Sequence, residues 1–312
     1  MREWQNSVNN TQCQCKGGWK FLQRLEEVTD PRIIDGRKIA DRIEAEVKTE
    51  VEKIKREGVE PTLATILVGE HPPSKLYVKL KHWACKRVGI RSEDHKYPAE
   101  TPQEEIINLI HTLNNRADVN GILVQLPMPE HVDERDVMSA IAPEKDVDGF
   151  HPLNMGRMLI GKEGFVPCTP KGIIRALEEY KIDVTGKNVV VVGHSNVIGK
   201  PISIMLVNRN ATVKTCHIYT KNLGEQTREA EILIVATGVR GLIKKEMVRE
   251  GAVVFDVGIT WIDDRVHGDV EFEEVIEKAS LISPVPGGVG PMTIAILMEH
   301  TLKAAKQQHN LS

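Results

Sequence analysis

The stretch KNVVVVGHSNVIGKP, residues 187–201, decides the fold. Four valines in a row read as a strand buried on both faces, the habit of a parallel sheet covered by helices. Gly193 then turns the chain, and Gly199-Lys200-Pro201 opens a helix. A turn of this kind presents unpaired N–H groups and the positive end of a helix dipole to phosphate. The spacing is not GxGxxG, since Ser195 stands where the second glycine would be. The same pattern also serves an ordinary strand-to-helix turn.

Working outward, further strands are expected at 211–216, 231–237, 251–258 and 280–285, with helices between most of them. That is the order of a nucleotide-binding doubly wound fold. A second α/β unit precedes it. Ile39, Ile43, Val47, Val51 and Ile54 recur at helical spacing, with Asp35 or a neighbour as N-cap and Gly58 as stop. Strands follow at 62–68, 90–97 and 119–126, the last closed by Pro127 and Pro129, with helices at 74–87 and 102–116. Residues 143–167 read as a linker, and Thr169-Pro170 as a cap and first helical residue. The expected fold class is therefore α/β in two domains, an N-terminal α/β domain over 31–152 and a Rossmann-like doubly wound domain over 153–289. Residues 1–30 show no convincing period and read as an extension, open to disorder, with no assigned role.

Composition bounds the function. A chain of 312 residues suits two modest domains, and 41% hydrophobic with 27% charged residues is ordinary for a globular protein. A net charge of −3 gives no electrostatic reason to bind nucleic acid. No apolar run approaches membrane-spanning length. The polar first twenty residues lack the apolar stretch of a secretory signal, so a cytoplasmic protein is expected. Five scattered cysteines suit reduced thiols, and Cys13 and Cys15 lack the partners a metal site needs, so no metal is expected.

Several short segments carry chemistry, each with a plain alternative. PVPGGVGPMT, residues 284–293, packs three prolines and three glycines into ten positions. It specifies one unusual backbone path, either for a close ligand or for an elaborate strand-to-helix loop. Tyr77 and Lys81 lie four apart and share a helix face, as would a solvated lysine beside a half-buried tyrosine. Gln125 ends a buried strand, where open α/β sheets present ligand-binding groups. KDVDGF, residues 145–150, brings Asp146 and Asp148 to the start of the linker, where capping competes with binding. Cys168 has no base beside it in the sequence and reads as a packed thiol.

Taken together, YVxxK, QLP, KDVDGF, PCTP and PGGVGPMT resemble the methylenetetrahydrofolate dehydrogenase/cyclohydrolase family, in order and separation, from about Ile33 to Lys306. The resemblance implies that the final helix, from Pro291 to about Lys306, crosses back so that 290–312 packs onto the first, folate-binding domain. It implies that Lys81 is the catalytic acid/base, that Gln125 hydrogen-bonds it, and that Tyr77 orients the folate. A neutral partner leaves the lysine pKa free to fall in a desolvated cleft. Asp148, Gly288 and Pro291 would bind substrate, with Asp146 structural. Gly193, His194, Ser195, Gly199, Ile218 and Ile259 would bind the nucleotide.

Two positions depart from the family. His194 stands where NADP-dependent members usually carry arginine, and Ile218 where a serine is common. No acidic residue ends the second strand to take a ribose hydroxyl, as NAD binding would favour. Lys214 and Lys221 are candidate substitutes for the arginine. The resemblance thus implies NADP, with NAD as the alternative. Trp83 replaces a lysine of many relatives and is expected to alter the cleft wall. The implied partners are tetrahydrofolate derivatives and a second copy in a homodimer. The alternatives are an NAD-dependent monofunctional dehydrogenase, a shikimate-type dehydrogenase, which QLP and PGGVGPMT oppose, and a non-catalytic regulator, which Lys81 with Gln125 opposes.

Overall fold

The computed structural model describes residues 30–263 and 265–311, and the expected extension, with Cys13 and Cys15, lies outside them except for Asp30. Helix α1 (Gly36–Arg56) buries the stripe of Ile39, Ile43, Val47, Val51 and Ile54. The Asp35 carboxylate caps it, accepting from the N–H groups of Arg37 and Lys38 at 3.1 Å. Strand β1 (Thr62–Val68) is buried throughout. It lies between β2 (Arg91–Tyr97) and β3 (Gly121–Val124) in a parallel sheet ordered β2-β1-β3. Helices α2 (Pro72–Val88) and α3 (Gln103–Asn114) are the crossovers. β2 is an edge strand, and its polar sequence RSEDHKY stays partly exposed. β3 is shorter than expected at both ends, since the Val119 N–H turns back to the Arg116 carbonyl and Pro127 has no N–H to extend the ladder.

Helices α4 (Glu134–Ala140) and α5 (Pro152–Leu159) occupy the next stretch. The second of these falls inside the expected linker. Pro152 starts it, and His151 Nδ1 accepts from the Leu153 N–H at 3.0 Å. Helix α6 (Cys168–Glu179) begins two residues before the expected position, with Pro167 at the cap. Thr169 does not cap it; its hydroxyl meets that of Thr293 at 3.0 Å instead.

The second sheet holds β4 (Asn188–Val192), β5 (Thr212–Cys216), β6 (Ile232–Val235), β7 (Val253–Asp256) and β10 (Leu281–Ile282), all parallel. Their order is β10-β7-β6-β4-β5, so the direction of winding reverses between β4 and β6. In open α/β sheets that switch point, at the carboxyl ends of the strands, is where ligands bind. Helices α7 (Gly199–Val207), α8 (Leu223–Arg228) and α9 (Phe272–Val275) connect them. A hairpin of β8 (Thr260–Ile262) and β9 (Arg265–His267) leaves the end of β7. The strand expected at 280–285 shrinks to two residues, and its outer edge pairs with Ile33 in place of a longer neighbour.

Helix α10 (Val289–Gln308) starts two residues before Pro291, which a first helical turn tolerates. It leaves the second sheet and packs along α1 and α6, with contacts to α2. One hydrophobic cluster consequently joins Ile43 of α1, Leu63 of β1, Ile173 of α6, Val189 of β4 and Leu297 of α10. The outer faces of the two sheets carry separate clusters. No helix among the described residues is long and apolar enough to cross a membrane.

Candidate active site

A cavity of about 970 Å³ opens between the two sheets, and Tyr77, Lys81, Gln125, Asp148, Ile259, Gly288 and Pro291 all line it. Helix α2 supplies Tyr77 and Lys81 from one face, while Val78, Ala84, Cys85 and Val88 anchor it to the core. Lys81 is only 8% exposed. Its Nζ donates to Gln125 Oε1 at 3.0 Å. Gln125 is held in turn: its N–H donates to the Ile66 carbonyl at 2.9 Å, and its Nε2 to the Leu126 carbonyl at 2.8 Å. The amide oxygen is therefore the atom left for the lysine. Burial pushes the Lys81 ammonium below the usual lysine range, against the attraction of Asp148. Burial likewise pushes the Tyr77 phenol up to about 12, so it stays protonated.

The two aspartates of KDVDGF part company. Asp146 is buried and accepts from the N–H groups of Gly149, Phe150 and His151 and from Asn154 Nδ2 at 2.8–3.1 Å. It shapes the turn that turns Asp148 toward the cavity. Behind that turn, Cys168 Sγ lies 3.4 Å from the Val147 carbonyl and 3.8 Å from His300 Nδ1. No local pattern in the chain marks this histidine. Burial holds the thiol well above its ordinary value and the imidazole down at about 4. The neutral ring donates from Nδ1 to the Val147 carbonyl at 2.9 Å. Burial, with the Asp148 carboxylate beside it, thus keeps Cys168 a packed, protonated thiol.

The loop before α10 forms the opposite wall. A Cβ on Gly36 would sit 1.8 Å from the Gly288 carbonyl oxygen, and one on Gly290 would lie 4.0 Å from Tyr77 Oη. The start of α1 thus presses directly on the glycine loop. Two cis peptide bonds among the described residues border the cavity, Val285–Pro286 in this wall and Leu126–Pro127 on the side of Gln125. Trp83 is not part of the cavity; the Lys79 ammonium sits 4.9 Å over its ring. The expectation that Trp83 alters the cleft wall is corrected: it lies two residues beyond Lys81, off the shared Tyr77–Lys81 face.

On the nucleotide side, Val197 and Ile198 reach the cavity, while Gly193, His194, Ser195, Gly199 and Ile218 lie beyond its lining. Gly193 takes φ +124°, and a Cβ there would lie 2.3 Å from the Ala236 carbonyl oxygen. A Cβ on Gly199 would lie 2.1 Å from that of Gly193. Both positions require glycine. Ser195 Oγ accepts from the Ile198 N–H at 3.1 Å, and α7 begins without a side-chain cap. The expected row of free N–H groups is largely filled: the Lys200 N–H goes to the Ser195 carbonyl at 3.0 Å, that of Ile202 to the Ile198 carbonyl at 3.0 Å, and Pro201 has none, so it is the close backbone approach at Gly193 and Gly199 that suits a dinucleotide. Next to it, the His194 and His217 rings stand 5.0 Å apart, and Ile218 is 70% exposed. Lys214 is committed elsewhere, to Gln226 at 2.8 Å and Glu229 at 2.5 Å.

Sequence reading missed Gly36, His300 and a buried pair, Asp256 and Asp269. The Asp-Gly pair at the start of α1 was a usable signal for the first. Nothing local marks the others, whose partners, apart from Gly258 next to Asp256, lie 13 to 153 residues away.

The chain matches two family models, tetrahydrofolate dehydrogenase/cyclohydrolase, catalytic domain, over residues 34–148, and tetrahydrofolate dehydrogenase/cyclohydrolase, NAD(P)-binding domain, over 167–309. The bifunctional protein FolD of Methanosarcina barkeri is 60% identical over 286 residues, covering 91% of this chain and 100% of that relative. Among solved structures, the bifunctional methylenetetrahydrofolate dehydrogenase/cyclohydrolase of Campylobacter jejuni aligns with a TM-score of 0.87 at 47% identity, over 88% of this chain and 98% of that one. The Trypanosoma brucei methylenetetrahydrofolate dehydrogenase-cyclohydrolase, complexed with NADP and an inhibitor, aligns with a TM-score of 0.86 at 36% identity, over 88% and 97%.

The contact of Gly36 with the loop yields a prediction in which two effects oppose. Helix propensity favours Gly36→Ala by about 0.5–1 kcal/mol. Overpacking against a backbone carbonyl costs about 1–3 kcal/mol and should win. The variant should unfold at lower urea and show a raised KM for substrate.

Proposed function

The chain belongs to the tetrahydrofolate dehydrogenase/cyclohydrolase family, and we propose from that premise how its residues divide two reactions. The first oxidises 5,10-methylenetetrahydrofolate to the methenyl form, with NADP; the second hydrolyses the methenyl form to 10-formyltetrahydrofolate. We assign residues 31–152 with 290–312 to the folate half and 153–289 to the nucleotide half. The protein is read as a cytoplasmic homodimer of one-carbon metabolism. The observation that carries the reading is the buried Lys81, 3.0 Å from the neutral Gln125, in the cavity shared with Asp148 and the glycine loop.

Asp148 accepts from the amino group and ring N–H of the pterin, whose edge presents adjacent donors. Tyr77 packs against the folate and sets its angle. Hydride loss from the one-carbon bridge then depends mainly on alignment across the cleft. When bound, the nicotinamide supplies the hydride acceptor. Gly193, Ser195 and Gly199 would hold its pyrophosphate, His194 and Ile218 would flank the adenosine ribose, and Ile259 would meet the nicotinamide end.

Hydrolysis falls to Lys81. The methenyl carbon is electrophilic because its charge is shared with both flanking nitrogens. Water forms the new C–O bond, and the neutral amine takes one of its protons, leaving a hydroxyl on the bridge carbon. As the C–N5 bond breaks, Lys81 returns that proton to N5, the hydroxyl gives its own proton to solvent, and the C=O of the formyl group forms on N10. A lysine in its usual range would be almost wholly charged near neutral pH and unable to begin this step. Burial with an uncharged partner provides the neutral fraction.

Three outcomes test the reading. Lys81→Met should lower hydrolysis by about 10²-fold or more, the scale of general acid–base catalysis, in a variant that still unfolds cooperatively. Normal hydrolysis in that variant would sink the assignment. For pH, hydrolysis should rise as Lys81 loses its proton, with a limb below the ordinary lysine range. Gln125→Glu puts an anion beside the ammonium and favours the charged form, so the limb should move up by about 1–3 pH units. For the nucleotide, His194→Arg adds a permanent bidentate cation, and a charge-assisted bond is worth about 1.5–3 kcal/mol. The ratio of kcat/KM for NADP over NAD should rise about tenfold or more. An unchanged ratio would place the ribose phosphate away from His194.

A further inference from the structure

Two buried carboxylates beside the cleft have no part in the chemistry above. Asp256 ends β7 and is 3% exposed. Its Oδ1 accepts from the N–H groups of Gly258 and Asp269 at 3.0 Å, and its Oδ2 from that of Val270 at 3.0 Å. Asp269 is wholly buried. Its Oδ2 accepts from the Thr237 N–H at 2.6 Å, the Thr237 hydroxyl at 2.8 Å and the Gly238 N–H at 3.0 Å. No lysine or arginine among the described residues forms an ion pair with either.

The space around the pair is closed. A Cβ on Gly258 would lie 2.0 Å from Asp269 Oδ1, and one on Gly268 would lie 1.9 Å from Asp256 Oδ2. Of the four carboxyl oxygens, only Asp269 Oδ1 receives no donor, and it is buried. Burial pushes Asp256 up to about 7 and Asp269 above its ordinary value. A proton on Asp269 Oδ1 would relieve the repulsion of like charges, and that oxygen has room for it among its partners.

Buried aspartates often only satisfy a loop, and Asp146 is one that does. This pair differs in what it holds. Thr237 and Gly238 follow the end of β6, and Gly258 follows the end of β7, at the sheet edge where ligands bind. Asp256, Val257, Gly258 and Ile259 line the cavity that contains Lys81. The first sheet and helix α2, which carry the hydrolytic group, make no hydrogen bond to either carboxylate among the described residues.

We propose that Asp256 and Asp269 are positioning residues for hydride transfer, locking 237–238 and 257–259 together as the fixed floor beneath the nicotinamide. The inference rests on the reading given under Proposed function. In the step concerned, the bridge C–H bond breaks and its electron pair moves with the hydrogen to the nicotinamide; no proton passes through the pair. Hydride transfer is sensitive to small misplacement, whereas hydrolysis needs only the folate half. Loosening the floor should therefore separate the two activities.

The test compares the whole protein with Asp269→Ala, Asp269→Asn and Thr237→Val. Each is measured for NADP affinity by calorimetry, for dehydrogenase kcat and KM, and for hydrolysis of methenyltetrahydrofolate without nucleotide. Asp269→Ala should lose about tenfold or more in dehydrogenase kcat and several-fold in NADP affinity, and keep hydrolysis within about twofold. Asp269→Asn should recover most of the loss, since the amide oxygen still accepts from Thr237 and Gly238. Equal loss of both activities in Asp269→Ala, or loss of neither, overturns the proposal. Should Asp269→Ala fail to fold, Thr237→Val removes one hydroxyl contact and should lower dehydrogenase kcat alone, by about threefold; no change there also overturns it. A wild-type protein without dehydrogenase turnover would sink the functional reading instead. In that case equal NADP affinities of Asp269→Ala and Asp269→Asn would overturn the floor.

Discussion

Helix α10 is wedged along α1 and α6, and the geometry of the cleft follows from that wedge. The helix starts at the loop that ends the second sheet and buries Met292, Ile296, Leu297 and Met298 in the core it shares with α1 and α6. Close approach is possible because Gly172 of α6 meets Met292, where a Cβ would lie at 3.1 Å. The same end of α10 carries the glycine loop, and Gly36 presses on its carbonyl. One continuous core therefore fixes how far the loop stands from Tyr77 and Lys81. A cleft between two independently mobile halves would not hold that spacing.

Desolvation is the second constraint, and it acts differently on each buried group around the cleft. It keeps Cys168 a thiol and His300 an uncharged imidazole, so the layer behind Asp148 carries no charge of its own. It lowers the ammonium of Lys81, whose hydrogen-bond partner is a neutral amide rather than a carboxylate. An aspartate or glutamate at position 125 would have restored the charge that burial removes. The cleft thus gives its buried amine a neutral hydrogen-bond partner. At the other wall, a pair of carboxylates without a cation is tolerated because six donors surround it.

Much of this was legible in the chain. The apolar stripe of α1, the buried strands β1 and β4 and the glycine turn after β4 follow from local periodicity, because a helix face or a doubly buried strand repeats its signal along the sequence. Lys81 and Gln125 were found by motif, and their separation of 44 residues is closed by the adjacency of α2 and β3 to β1. Local signals failed where long-range packing overrode them. Helix α5 sat unread within a linker, since eight residues carry too little periodicity. Thr169 resembled a cap until the approach of α10 gave its hydroxyl another partner in Thr293.

What the sequence determined by itself was the alternation of strand and helix, the parallel sheets, the family and the candidate residues Tyr77, Lys81, Gln125 and Asp148 that line one cavity, all carried by short-range pattern. What only the tertiary structure decided were contacts between distant segments. They include Gly36 under Gly288, His300 behind Cys168, Trp83 outside the cleft, and the carboxylates of Asp256 and Asp269 joined through one loop. The physical reason is common to them. Each depends on the burial or collision of atoms far apart in the chain, and no local property of a glycine or an aspartate reveals what will be packed against it.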